Sequence, residues 1–174
     1  MTDQLWAPWR LKYIENADKA EGCIFCEFPT RDIIEDETNL IVYRGASAFI
    51  ILNAFPYSNG HLMVVPFRHS ANLADYSDEE MLEVMHLTRL SISLLKRAFN
   101  PNGFNLGVNM GRVAGAGIAD HLHWHIVPRW NGDTNFMPVL ADVRVIPESL
   151  SVVFTRLREA LDRETDEAGL DTTA

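Results

Sequence analysis

The segment His121-Leu122-His123-Trp124-His125-Ile126-Val127-Pro128 restricts this chain more than any other, because imidazole and apolar side chains alternate in it without interruption. A β-strand sends successive side chains to opposite faces, so His121, His123 and His125 share one face while Leu122, Trp124 and Ile126 share the other. The apolar face can seal against a core, which leaves three imidazoles in a row about 6.5 to 7 Å apart at the usual strand rise. Only six histidines occur in the 174 residues, so three on one face point to chemistry. Two other readings stand beside that one. The three could be polar residues on a solvated sheet face, or a His-only catalytic metal site, since imidazole binds zinc, copper, nickel and iron. The second lacks a carboxylate partner on the same face.

The loop entering this strand, Met110 to Asp120, contains Gly111, Gly115 and Gly117. Where Cβ atoms are missing, backbone N–H groups can approach an anion closely, so a phosphate fits there. An imidazole is partly unprotonated near neutral pH and can attack phosphorus through one nitrogen if an acceptor holds the other. Flanking histidines can then donate to the phosphate oxygens as charge builds in the transition state. The expectation is an enzyme in which His123 attacks the phosphorus of a phosphorylated substrate. A net charge of −9 argues against a nucleic-acid polymer as partner, because such binding draws on clustered Lys and Arg.

Elsewhere the chain reads as one domain with a proper core. Asn39 to Arg44, Ala48 to Leu52 and His61 to Pro66 are short apolar segments punctuated by Gly45 and Asn59-Gly60, as expected of three antiparallel strands. Ser77 and Glu80 form a capping box, and Met81, Met85, Thr88, Ile92, Leu95 and Phe99 follow at helical spacing until Asn100-Pro101. A second row, Val84, Leu87, Leu94 and Ala98, broadens the stripe, as a core-facing or dimer-forming helix would. Phe104 to Asn109 and His121 to Pro128 make two further strands, and Pro147 is expected to start a last helix. The fold class is therefore α+β: a mostly antiparallel five-stranded sheet, one long helix and a C-terminal helix. Residues 1–22 read as an extended arm, 23–163 as the domain, and 164–174 as an acidic, disordered tail. The start of the chain does not look like a secretory signal and no apolar run reaches the roughly 20 residues that cross a bilayer, so a soluble, cytoplasmic protein without membrane partners is expected.

The two cysteines, Cys23 and Cys26, form a Cys-x-x-Cys pair. The arm before them offers no strand of the kind a thioredoxin-like redox motif follows. Two buried thiols or half of a zinc site remain, and zinc needs two further ligands delivered by the fold.

The stretch His121 to Val127 resembles the signature of the histidine triad (HIT) nucleotide-binding family. Asn53, Pro56, Gly60-His61-Leu62-Met63-Val64-Val65-Pro66 and Arg68-His69 resemble that family's upstream strand and turn, so the likeness covers most of residues 23–130. The resemblance implies that His123 forms a nucleotidyl-histidine intermediate, that His125 and His61 contact the α-phosphate, and that Asn53 holds a ribose hydroxyl. It implies a phosphate-side contact for Asn109, while backbone donors around Gly115 to Gly117 are expected to stand in for side-chain contacts that the family makes here. Many members carry Gly-Gln-Ser/Thr-Val before the triad, where this chain has Ala116-Gly117-Ile118-Ala119, so the Gln and hydroxyl contacts are missing. The Ala-Gly-Ala-Gly-Ile loop, the arm Trp6 to Arg10 and the segment Pro128 to Phe136 are similar to the bacterial branch that includes diadenosine tetraphosphate phosphorylases. That implies a nucleoside polyphosphate substrate cleaved by hydrolysis or phosphorolysis, a nucleotide-binding adaptor or a phosphoramidate hydrolase being the alternatives. Arg129, Asp133 and Asn135 follow the triad closely enough to reach distal phosphates, or else serve as surface hydrogen-bonding residues in a turn. The resemblance also implies His69 and His121 as the partners of Cys23 and Cys26 in a structural zinc site, and a homodimer.

Overall fold

The structure, a computed structural model, describes residues 22–133 and 146–168. The expected arm, apart from Gly22, as well as Asn135 and residues 169–174, lies outside the described residues. Five strands form one sheet: β1 (Ile41–Arg44), β2 (Ala48–Leu52), β3 (Leu62–Pro66), β4 (Gly103–Val108) and β5 (Trp124–Arg129). Their order is β1-β2-β3-β5-β4 and every neighbouring pair is antiparallel. The α+β expectation holds. The four described helices are α1 (Ile24–Glu27), α2 (Asp36–Asn39), α3 (Asp78–Phe99) and α4 (Leu150–Ala168). Because α3 separates β3 from β4, the chain reaches the sheet edge before β5 returns to lie beside β3.

Strand alternation builds two cores. Ala48, Ile50 and Leu52 of β2, Leu62 and Val64 of β3 and Ile126 of β5 pack with Val84, Leu87, Leu94 and Leu95 of α3 and Val153, Phe154 and Leu157 of α4. The intervening Phe49, Ile51, Met63 and Val65 point to the opposite face and pack with Ile41 and with Phe25 of α1. His125 stands opposite Met63, so the odd-numbered histidine belongs to this second face while Ile126 closes the first.

The long helix starts as expected: the Ser77 hydroxyl accepts from the Glu80 amide (3.3 Å), and the Glu80 carboxylate accepts from the Ser77 amide (2.8 Å). It ends at Asn100, whose left-handed backbone (φ 47°) still lets its amide reach the Lys96 carbonyl. Its buried face draws on both rows read in the sequence, Thr88 and Leu95 from the first and Val84, Leu87 and Leu94 from the second. Val84, Leu87, Thr88, Ser91, Leu94 and Leu95 are buried, whereas Met85 is 45% exposed. Thr88 and Ser91 tolerate burial because their hydroxyls donate to the carbonyls of Val84 and Leu87.

Several boundaries shift. The last helix begins at Leu150, three residues beyond Pro147, where the Ser149 hydroxyl accepts from the Val152 amide. It continues to Ala168, so the start of the tail expected to be disordered is helical, with Glu164 accepting from Ser93 and Arg97 of α3. The fifth strand opens at Trp124, not at His121. Its ladder with β3 stops at the Val64–Trp124 pair; two residues further along β3, Pro66 has no N–H to offer, and its carbonyl accepts instead from the His121 imidazole (2.8 Å).

Candidate active site and metal cluster

His61 lies at the mouth of β3, after a turn in which Gly60 adopts φ 75° and a Cβ would sit 2.9 Å from Leu95. This turn delivers an imidazole that is fully buried. The amide N–H of Tyr57 donates to His61 Nδ1 (3.1 Å), and the Asn53 side-chain amide lies 3.3 Å from the same nitrogen. Because Nδ1 accepts, a neutral His61 carries its proton on Nε2, and that N–H donates to His125 Nδ1 at 3.0 Å. His125 must then hold its own proton on Nε2. That atom is buried without a hydrogen-bond partner among the described residues, a condition that buried polar atoms seldom occupy. Burial first, then the neighbouring His123, depresses the His125 pKa to about 4, so the ring is neutral at pH 7.

The nucleophile candidate has the opposite polarity. His123 Nδ1 lies 2.9 Å from the His121 carbonyl, which can only accept, so Nδ1 bears the proton and Nε2 the lone pair. Burial lowers the His123 pKa and the bond to the His121 carbonyl partly opposes this, which favours the neutral ring. The His123 and His125 rings meet edge to face with centroids 5.0 Å apart. A lone-pair nitrogen therefore stands beside an unpaired N–H donor. Across the sheet, Gly107 of β4 faces His125, and a Cβ there would meet nothing within 4 Å, so there is open space at Gly107 itself.

Asn109 follows β4, with its side-chain amide 3.8 Å from where a Cβ on Gly115 would lie. Gly115 and Gly111 take positive φ (92° and 84°), and Gly117 is partly buried in the same loop. Arg129 and Asp133 are committed to each other: the guanidinium grips the carboxylate at 2.5 and 2.8 Å and also donates to Asn105. Hydrogen bonding to Arg129 holds the Asp133 carboxyl down at about 2. Of the two readings of this pair, the turn is the one the geometry favours.

Cys23, Cys26, His69 and His121 come together with their ligand atoms all within 4.8 Å of one another. His69 and His121 Nδ1 are 3.2 Å apart, each lies 3.3 Å from one cysteine sulfur, and Cys26 lies 3.6 Å from His121. A tetrahedral zinc with ordinary bond lengths requires edges of about 3.3 Å between two nitrogens and about 3.6 Å between nitrogen and sulfur, so the donor set fits. The His121 Nε2–H is held by Pro66, which leaves Nδ1 as the ligating nitrogen. Burial and the adjacent Cys23 push the Cys26 thiol up, a repulsion that a divalent cation would relieve.

Two residues near the histidines were not singled out in the sequence. Phe25 packs against both His121 and His123, and Tyr57 stacks on His61 (4.7 Å) and His125 (5.8 Å). Their signal was position only: one lies between the two cysteines, the other between Asn53 and His61.

An antiparallel α+β sheet thus gathers His61, His123 and His125 around the paired strands β3 and β5, with a Cys2His2 cluster that includes the neighbouring His121. A model of the HIT domain matches residues 35–132, and the chain belongs to the HIT family. It is 40% identical over 155 residues to the AP-4-A phosphorylase of Mycobacterium tuberculosis, covering 84% of this chain and 78% of that one. It is 31% identical over 110 residues to the adenosine 5'-monophosphoramidase of Schizosaccharomyces pombe, covering 63% and 76%. Among solved structures, a histidine triad nucleotide-binding protein of Sulfolobus tokodaii superposes with TM-score 0.64 at 26% identity, covering 84% of this chain and 97% of that one. A zinc-bound histidine triad protein of Mycobacterium smegmatis shares the fold with TM-score 0.65 at 24% identity, covering 84% and 97%. No helix among the described residues is long and apolar enough to cross a membrane.

Proposed function

We propose that this chain is a nucleotidyl-transferring enzyme that cleaves a dinucleoside polyphosphate such as diadenosine tetraphosphate through His123. The observation that carries the reading is the pairing of opposite tautomers: His123 Nε2 as lone pair, His125 Nε2–H as donor. In the first step His123 Nε2 forms a bond to the α-phosphorus as the bond from phosphorus to the polyphosphate oxygen breaks, and the leaving oxygen departs with the electron pair. The His121 carbonyl, bonded to Nδ1–H, stabilises the positive charge that develops on the ring. His125 donates to an α-phosphate oxygen, which satisfies its otherwise unpaired N–H, and His61 holds His125 in the donating tautomer. Asn53 is assigned to a ribose hydroxyl, Asn109 and the backbone around Gly115 and Gly117 to phosphate oxygens. An acceptor, inorganic phosphate or water, then displaces the histidine.

The 40% identity to an AP-4-A phosphorylase supports phosphate as the acceptor. The phosphoramidase relative supports a second reading in which a nucleoside phosphoramidate is the substrate. Cys23, Cys26, His69 and His121 would hold a zinc ion that, with four protein ligands and no open position, supplies structure and no bond-making chemistry. A cytoplasmic homodimer completes the proposal; the outer strand β4, with Leu106 54% exposed, is a candidate contact face.

The test is product analysis on diadenosine tetraphosphate with and without phosphate. ADP plus ATP marks phosphorolysis, and AMP plus ATP or two ADP marks hydrolysis. His123→Asn is expected to lower turnover by at least about 10³-fold, as loss of a covalent nucleophile does. Undiminished turnover in that variant would sink the mechanism.

A further inference from the structure

The nucleophile ring has a wall on each side. His125 meets it on one, and on the other Phe25 lies with ring centroids 5.1 Å apart at a 52° tilt. The bond from Nδ1 to the His121 carbonyl selects one ring orientation, and rotation about the Cβ–Cγ bond would break it. The two flanking rings oppose that rotation. Phe25 also meets His121 edge-on, 5.4 Å between centroids, so one phenyl group touches both His123 and a residue of the metal cluster.

Phe25 belongs to a single helical turn, Ile24–Glu27, bounded by the two cysteines. A turn of four residues is far too short to be stable by itself, since helix nucleation is costly. Backbone bonds run from the Cys26 and Glu27 amides to the Cys23 carbonyl at 3.0 Å each and from the Phe28 amide to the Ile24 carbonyl, and Glu27 pairs with Arg31. What ties the turn to the histidines is the burial of Phe25 (2% exposed) and the convergence of both cysteine sulfurs on His69 and His121.

From these contacts we infer that Phe25 is a positioning residue for His123, and that metal closure of the Cys23–Cys26 turn is what seats it. The inference rests on His123 as nucleophile and on the four-residue cluster as a zinc site. It assigns the cluster a second consequence beyond tying the chain together: zinc occupancy sets the rotational order, and hence the uniform tautomer, of the attacking ring.

The experiment uses the full-length, zinc-loaded protein labelled with ¹⁵N, with long-range imidazole spectra read beside steady-state kinetics. Phe25→Leu keeps all four ligands and is expected to retain one zinc per chain. Its kcat should fall about 5- to 20-fold with KM within twofold, and the His123 nitrogen signals should move toward the average of the two tautomers. Unchanged His123 signals and kcat would overturn the positioning role, as would a raised KM at constant kcat, which marks a ligand contact instead. Chelation of zinc from the wild-type chain should reproduce the His123 spectral change. A spectrum unmoved by zinc removal, or a chain that takes up no zinc, overturns the coupling. A stripped chain that loses its fold also overturns the coupling, because the cluster then supports the whole domain and not the seating of Phe25, while the loaded Phe25→Leu protein still decides the positioning role. Turnover surviving in His123→Asn would refute the nucleophile reading separately, since the His123 spectra of the wild-type and Phe25→Leu chains still report whether Phe25 orders that ring.

Discussion

Keeping His125 neutral makes the fold sensitive to acid, and the size of the effect follows from its burial. Its pKa falls from an unfolded value of 6.5 to about 4. Below pH 6.5 the unfolded chain takes up a proton that the folded chain refuses, so the unfolded state binds more protons and stability declines with falling pH. The contribution is present in full above about 6.5 and is lost as the pH drops toward 4. Between pH 7.5 and 5.0 this one group costs about 2 kcal/mol, from 1.36 kcal/mol per pKa unit. His125→Asn keeps an acceptor for the His61 N–H but cannot titrate. Urea denaturation of both proteins at the two pH values isolates the effect, because His121, His123 and any bound metal contribute to each. The wild type should lose about 2 kcal/mol more than His125→Asn. Parallel losses would refute the argument that His125 is held neutral by burial.

Other perturbations read other parts of the structure. Cys26→Ser removes one donor of the Cys2His2 cluster and is expected to abolish stoichiometric zinc by elemental analysis and lower Tm by about 10 °C, equivalent to a few kcal/mol in a chain of this size. Ser77→Ala deletes the capping box of α3 and should cost about 1 kcal/mol, a shift of about 2 to 4 °C in a thermal melt, with KM unchanged. Gly60→Ala forces a Cβ to within 2.9 Å of Leu95 at a backbone angle of φ 75°, so it should cost about 1 to 2 kcal/mol or more and also reduce kcat, because His61 is the next residue. A Gly60→Ala protein with wild-type melting and turnover would contradict that account.

Much of this fold was legible because its signals are local. The short apolar runs of β2 and β3 and the Ser77/Glu80 cap define their elements within a few residues, and the structure places them where those patterns lie. The convergence of Cys23 and Cys26 with His69 and His121 was not legible from spacing: the residues span nearly 100 positions, and only the family resemblance joined them. What escaped the sequence depended on partners. The start of β5 was misjudged because the end of a strand is set by its neighbour, here by Pro66. Of the buried positions of α3, Val84, Leu87, Thr88, Leu94 and Leu95 stand in the two rows read from the sequence; Ser91 escaped because a hydroxyl bonded back to its own helix packs as an apolar group does. The tautomers of the histidines depend on a backbone amide and a backbone carbonyl, which no side-chain pattern records. Phe25 and Tyr57 looked like ordinary aromatic residues because neither carries a chemical signature of its own.

The two faces of the sheet are built to different specifications. One is covered by α3 and α4, 22 and 19 residues long. The other is covered by short turns around α1 and by loops, and it is the side to which the histidines belong. A domain arranged this way confines its rigid mass to the back, so insertions and exchanges in the thin front layer can reshape what is recognised while the foundation that aligns the imidazoles stays the same.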